Sequence, residues 1–242
     1  MSTAPRPTAP APASLPPAAP SLTERRKAET QLEIARAAAA LFAERGSAVT
    51  ADDIARAAGV APRTFYRYFR TKEDAVAPLL AVGVRQWLAH LRRLAAAADG
   101  PSVREALERA ARQALTPSDE RAAEALRWTR GLLRVMRDDP ALRSVWHRVH
   151  HDSEEALIPV LTGLTGGGPP EVRLAAAAAN TAMRVAVETW AADDAPEERT
   201  AGGAAGQADE QTDAQADDPA ELVVRAMRAL TAGLPGLDRR RT

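Results

Sequence analysis

Between Arg56 and Lys72 the chain carries five basic side chains, Arg56, Arg63, Arg67, Arg70 and Lys72, and no acidic one. Thr64, Tyr66 and Tyr68 are interleaved with them. Cations beside hydroxyls suit a phosphate-lined groove. Guanidinium groups pair with phosphate, or with a guanine edge in bidentate fashion, and hydroxyls add further phosphate hydrogen bonds. Whole-chain charge conceals this run. Lys+Arg and Asp+Glu both number 32 in 242 residues, for a net charge of +0. Any charge that meets nucleic acid therefore has to be local.

A second constellation has different chemistry. His147, His151 and Glu155 stand at i, i+4 and i+8 and share one face of a predicted helix, with His150 and Glu154 nearby. Two histidines at that spacing can hold a metal. A metal-dependent helical enzyme built on these three is the enzymatic alternative. It lacks the HExxH arrangement, and no other part of the chain forms a catalytic set. With no cysteine, disulfides, thiolate zinc sites and cysteine nucleophiles are excluded. The expectation is a binding protein with no catalytic residues, resident metal or cofactor. No apolar run approaches the roughly 20 residues that span a bilayer, and residues 1–20 lack the pattern of a signal peptide. A cytoplasmic protein with no membrane partner is expected.

The elements that position the basic run are helices. No β-type alternation occurs, so the fold class is all-α. Residues 1–20 carry seven prolines and read as a disordered tail. A helix is expected over 23–45, with Ile34, Ala38, Leu41 and Phe42 on one stripe and Gly46 as its stop. Thr50 caps a second helix that Gly59 ends. A third runs over 62–68 and opens on Pro62. A fourth begins after Thr71, where Thr71 and Asp74 resemble a capping box, and reaches about 98 with a bend at Pro78. Further helices fit 102–115, 117–137, 140–162 and 170–192. An acidic, Gly-containing tract at 193–218 reads as a disordered loop, and an apolar helix over 220–232 follows it. The domain reading is a tail at 1–20, a DNA-binding head at 21–75 and a body at 76–242.

Within the head, Gly59-Val60 joins two short helices by a sharp turn. Ile54, Ala58, Val60, Phe65 and Phe69 supply the buried side, and small Ala55 lets the helices cross closely. The other face of the 62–68 helix then presents Arg63, Thr64, Arg67 and Tyr68. This is a helix-turn-helix. Arg25, Arg26 and Lys27 precede it as solubilising charge or as a basic extension reaching DNA.

The stretch LFAERG, then T-DDIARAAGV, then RTFYRYFRTKEDAV resembles the TetR family of bacterial transcriptional regulators over about residues 30–76. The resemblance implies a regulator, most often a repressor, that binds a palindromic operator as a homodimer and is released by a small-molecule effector. It places DNA contacts at Thr50, Arg63, Thr64, Tyr66, Arg67, Tyr68 and Lys72, with Arg63 and Arg67 at base edges. Ala61 departs from the family, which often has a serine cap there. A ligand-independent architectural DNA-binding protein is the other alternative.

The resemblance also implies a body that pairs and binds. The last two long helices would form the dimer seam, with Leu174, Ala178, Met183, Val187, Leu222, Val223, Met227 and Leu230 as candidates. An effector pocket would draw on Trp128, Leu132, Met136, Trp146, His150, Met183 and Trp190. Their apolar character favours a hydrophobic ligand.

Overall fold

The computed structural model describes residues 21–97, 100–193 and 218–238. The expected tail and all but the ends of the acidic loop lie outside them. Among the described residues there are nine α-helices and no strand. No helix among them is long and apolar enough to cross a membrane.

Three helices make the head: α1 (Leu22–Arg45), α2 (Ala51–Ala57) and α3 (Pro62–Tyr68). Ser21 and Glu24 form a capping box at the start of α1, and Gly46 ends it at φ 57°. Thr50 and Asp53 form the capping box of α2. Gly59, at φ 66°, makes the turn in a region that costs side-chain-bearing residues more. Ile34, Phe42, Ile54 and Phe65 are fully buried and lock the three helices together. Phe69 joins them, its ring 5.5 Å from that of Phe65.

The entry to the body differs from expectation. A 3₁₀ turn over Glu73–Val76 precedes α4 (Ala77–Ala95). Thr71 accepts the Asp74 amide at 3.1 Å, so the capping residues act on this turn. Pro78 sits in the first turn of α4. Its missing N–H is harmless there, and the expected mid-helix bend has no cause.

The body continues with α5 (Val103–Leu115), α6 (Glu120–Val135), α7 (Pro140–Thr165), α8 (Pro169–Ala192) and α9 (Pro219–Thr231). Here α6 starts three residues later than the 117–137 reading. Asp119 accepts the Ala122 amide at 2.8 Å and sets the boundary. The α8 helix packs on α7 and α9, and α9 packs on α5. Ala175, Ala176, Ala179 and Ala182 are buried on α8, where small side chains allow close approach. Arg112 and Glu221 pair between α5 and α9, and Arg228 meets Glu108 at 2.9 Å.

This packing corrects part of the expected dimer seam. Val223 and Met227 are fully buried within one chain, and Met183 and Val187 are nearly so. The α5 helix absorbs the apolar face of α9 that the sequence leaves without a partner. Leu174 and Leu230 are exposed, and Ala178 and Leu222 are half-buried. Val185, absent from the expected set, is also exposed.

Candidate nucleic-acid interface and effector cavity

The outer face of α3 is built by what its inner face buries. With Phe65 and Phe69 held in the core, Arg63, Tyr66 and Arg67 are exposed, while Thr64 and Tyr68 are half-buried. Tyr66 meets Phe65 edge-on at 5.4 Å. The Arg67 guanidinium lies 4.9 Å from the Tyr68 ring centre and donates to the Tyr68 hydroxyl at 3.3 Å. That contact narrows its rotamers. Arg63 makes no hydrogen bond or ion pair among the described residues. Ala61 gives α3 no side-chain cap, as its chemistry requires.

Arg67 and Tyr68 share a groove with Thr23, Arg26, Lys27 and Thr30 of α1. The basic residues before the motif thus join the surface of α3. Thr50 is exposed but already engaged. Its hydroxyl donates to Asp53 Oδ2 at 2.6 Å and accepts the Asp53 amide at 3.1 Å. The Thr50 hydroxyl and amide, then Arg56, hold the Asp53 carboxyl below its ordinary value. Lys72 folds back onto the head. Its Nζ donates to the Ser47 carbonyl at 2.6 Å, lies 3.7 Å from Glu73 and sits over the Phe42 ring. An ammonium has three donors, so others remain for an anion.

Two polar ties join head to body. Ser47 Oγ donates to Asp139 Oδ2 at 2.9 Å. Asp139 is the N-cap of α7 and accepts the amides of Ala141 and Leu142 at 3.0 Å. Farther along α7, Arg148 reaches Asp74 at 2.5 Å. The sequence shows Asp139 as a cap before Pro140, but nothing in it reveals the second partner 92 residues away.

The body holds a cavity of about 140 Å³ between α4, α5, α6, α7 and α8. Trp146, His150 and Met183 of the expected set line it, as do Trp87, His90, Gln113 and Thr129, which sequence reasoning missed. The other four expected residues lie elsewhere. Leu132 is fully buried core. Met136 borders a separate cleft with Arg137 and Arg143. Trp128 faces Leu32 and Arg36 of α1. Trp190 stacks under Arg130, 5.0 Å from its ring centre. Helical spacing placed all seven on plausible faces, but the order of helices around the cavity decides which faces meet. Val187, expected at the dimer seam, also lines the cavity.

His150 is buried, and its Nδ1 lies 3.2 Å from Asn180 Oδ1. That oxygen can only accept, so Nδ1 carries the hydrogen and Nε2 presents a lone pair. Burial is the main cause that pushes the His150 pKa down to about 4, so the ring is neutral at pH 7. Burial also lowers His90, with Arg93 adding to it.

His147, His151 and Glu155 lie on the exposed face of α7. Glu155 turns instead toward Arg173, 3.7 Å away. Among the described residues no three His, Asp or Glu side chains converge as a metal site. A straight 12 Å helical run spreads three such groups too far for one ion, since each residue rises about 1.5 Å.

Residues 34–77 match the model of the family described as bacterial regulatory proteins, tetR family. No curated protein matches the chain. Among solved structures with similar folds are the following two. FadR of Thermus thermophilus, a TetR-family transcriptional repressor solved in complex with lauroyl-CoA, is 23% identical. The alignment covers 84% of this chain and 94% of that one, with a TM-score of 0.50. GusR of Salmonella enterica is 17% identical, covering 85% and 95% respectively, with a TM-score of 0.50. These likenesses show the fold, and the motif over residues 34–77 identifies the head. Residues 34–77 thus form a helix-turn-helix head of the tetR-family type, carried on an all-α body.

Proposed function

We propose that this regulator binds a palindromic operator as a homodimer, acts as a repressor in the cytoplasm, and is released when a small molecule enters the body. The observation that carries the DNA-binding part is the outer face of α3. Arg63 and Arg67 project from a helix whose other face is locked by Phe65. A rigid helix with exposed arginines can enter a major groove and read guanine edges. Thr64, Tyr66, Tyr68 and Lys72 hold phosphates around it, and Thr50 adds a contact beside its capping role. Arg26 and Lys27 extend the phosphate-binding surface along α1.

Dimerisation follows from the outer stripe of α8 and α9. Leu174, Ala178 and Val185 recur at helical spacing on α8, with Leu222, Ala226 and Leu230 on α9. Exposed Leu174, Val185 and Leu230, flanked by the half-buried Ala178, Leu222 and Ala226, support these helices as an interaction face. Two-fold pairing then places two heads in successive major grooves, about one helical turn apart.

Selection of bound DNA from a random pool tests this reading. A palindromic consensus is expected, with half-sites separated by roughly 10 base pairs or a multiple. Binding with no sequence preference would overturn it in favour of an architectural role.

A further inference from the structure

The cavity says what kind of molecule it takes. None of the residues that line it, among those described, is Asp, Glu, Lys or Arg. A charged ligand buried there would lose its hydration without gaining a charged partner from this wall. The ligand is therefore uncharged where it meets this wall. The volume, about 140 Å³, is close to the roughly 150 Å³ of an engineered apolar cavity that accepts benzene. One ring fits.

Two residues of this wall each carry a buried polar atom with no hydrogen-bond partner among the described residues: Trp87 at Nε1 and His150 at Nε2. Trp87 is fully buried and His150 nearly so. An indole N–H can only donate. His150 Nε2 accepts, because Nδ1 donates to Asn180. The other cavity tryptophan differs. Trp146 donates to Glu188 Oε1 at 2.7 Å, so its polar edge is already satisfied. Among the described residues, the wall thus carries one buried unpartnered donor and one buried unpartnered acceptor, each costly to leave unmade, beside the polar side chains of Gln86, His90, Gln113, Thr116, Ser118 and Thr129. Both atoms are shielded even from a water-sized sphere, so a ligand reaches them by a small turn of either ring. Side-chain shifts of that order are common on binding.

We propose that the cavity binds a small neutral aromatic alcohol or phenol. Its ring lies among Leu79, Leu126, Trp146 and Met183. Its hydroxyl oxygen accepts from Trp87 Nε1, and its hydroxyl hydrogen is donated to His150 Nε2. This inference rests on the effector-release reading and names its ligand class.

The experiment uses the full chain without DNA. Phenol, anisole, toluene and benzoate are titrated by calorimetry and by tryptophan fluorescence. Phenol both donates and accepts, anisole only accepts, toluene does neither, and benzoate is charged. Phenol is expected to bind tightest, anisole more weakly, toluene weaker still, and benzoate not at all. Trp87→Phe should weaken phenol roughly 3- to 10-fold, as one lost hydrogen bond does, and leave toluene unchanged. His150→Phe should bring phenol down to the level of anisole. The wild-type series alone decides the matter if either variant fails to fold. Toluene binding as tightly as phenol, or benzoate displacing it, would overturn the proposal. Operator selection is scored separately. Operator binding that no phenol affects, together with no phenol binding in calorimetry, overturns the ligand class and leaves the regulator reading intact. Phenol binding to a chain that selects no operator supports the ligand class and sinks the regulator reading.

Discussion

Ser47, in the turn that leaves α1, donates its hydroxyl to the Asp139 carboxylate at 2.9 Å. One side chain therefore caps the helix that walls the cavity and holds the head. Trp146 and His150 follow on that same helix. A change in α7 caused by a ligand would be felt at Ser47 through this bond and at Asp74 through Arg148. The Asp139 carboxyl is raised by burial. The Leu142 amide, the Ser47 hydroxyl, the Ala141 amide and Lys72 outweigh that and leave it below its ordinary value.

The two roles of Asp139 separate by mutation. Ser47→Ala removes only the tie to the head and should cost about 0.5–1.5 kcal/mol. Asp139→Ala removes the tie and the cap, and should cost about 1–3 kcal/mol. Asp139→Asn keeps a good cap and should fall between. Urea unfolding at pH 7 ranks the three. The folded carboxyl titrates below the unfolded one, so its stabilisation is complete above pH 3.8 and is lost as pH falls through the folded value. Equal losses for Ser47→Ala and Asp139→Ala would show that the cap contributes nothing.

Reading and holding should separate within the head. Arg63→Ala should cost about 1–3 kcal/mol per lost base contact and relax preference at one symmetric pair of operator positions. Lys72→Ala should weaken all sequences alike and reduce the salt slope by roughly one unit per lost contact, hence about two for a dimer. Loss of its bond to the Ser47 carbonyl adds about 1 kcal/mol of instability, which a melting curve would register. Affinities for the operator and its single-base variants at several salt concentrations decide the assignment. A change of base preference in Lys72→Ala alone would reverse the orientation proposed for the head.

The proposed dimer face should be separable from the core beside it. Val185→Arg and Leu230→Arg add charge to the exposed stripe and should give folded monomers by sedimentation at micromolar concentration. Val223→Arg places a charge at a fully buried position and should prevent folding. If Leu230→Arg remained dimeric, the seam would lie on another face.

His150 sets a pH signature. Its pKa is about 4 when folded and buried, against about 6.5 unfolded. Between those values the unfolded chain binds the extra proton, so stability falls as pH drops from 6.5 toward 4. The loss should reach about 3 kcal/mol. His90, also lowered, contributes in the same direction. Asp139 and Asp238, lowered from 3.8, act below this window, and Glu221, lowered from 4.5, begins to act at its acid end in the same direction. Denaturant midpoints measured from pH 7 to 4 should show the slope, and His150→Phe should flatten most of it. An unchanged slope in that variant would mean that the imidazole is not buried neutral.

Much of the head is local in its causes, and local causes are legible in order along the chain. Thr50 capping α2, Gly59 turning at positive φ and Pro62 opening α3 each depend on a residue and its near neighbours. Phe65 and Phe69 inside with Arg63 and Arg67 outside follow from one helical period. The body obeys different physics. Its helix boundaries are local too, but what each helix faces depends on its partners. The apolar side of α9 looks like a dimer seam until α5 covers Val223 and Met227. Trp87 looks like core until the packing of α4, α6 and α7 leaves a cavity beside it. The bond from Ser47 to Asp139 spans 92 positions and follows no period. By itself the sequence determined which residues form helices and which face of α3 stays wet, because caps, turns and periodicity act within a few residues. Only the tertiary structure decided where the cavity lies, which apolar stripe remains open on α8 and α9, and how α7 touches the head, because burial is a property of helices meeting and not of any helix alone.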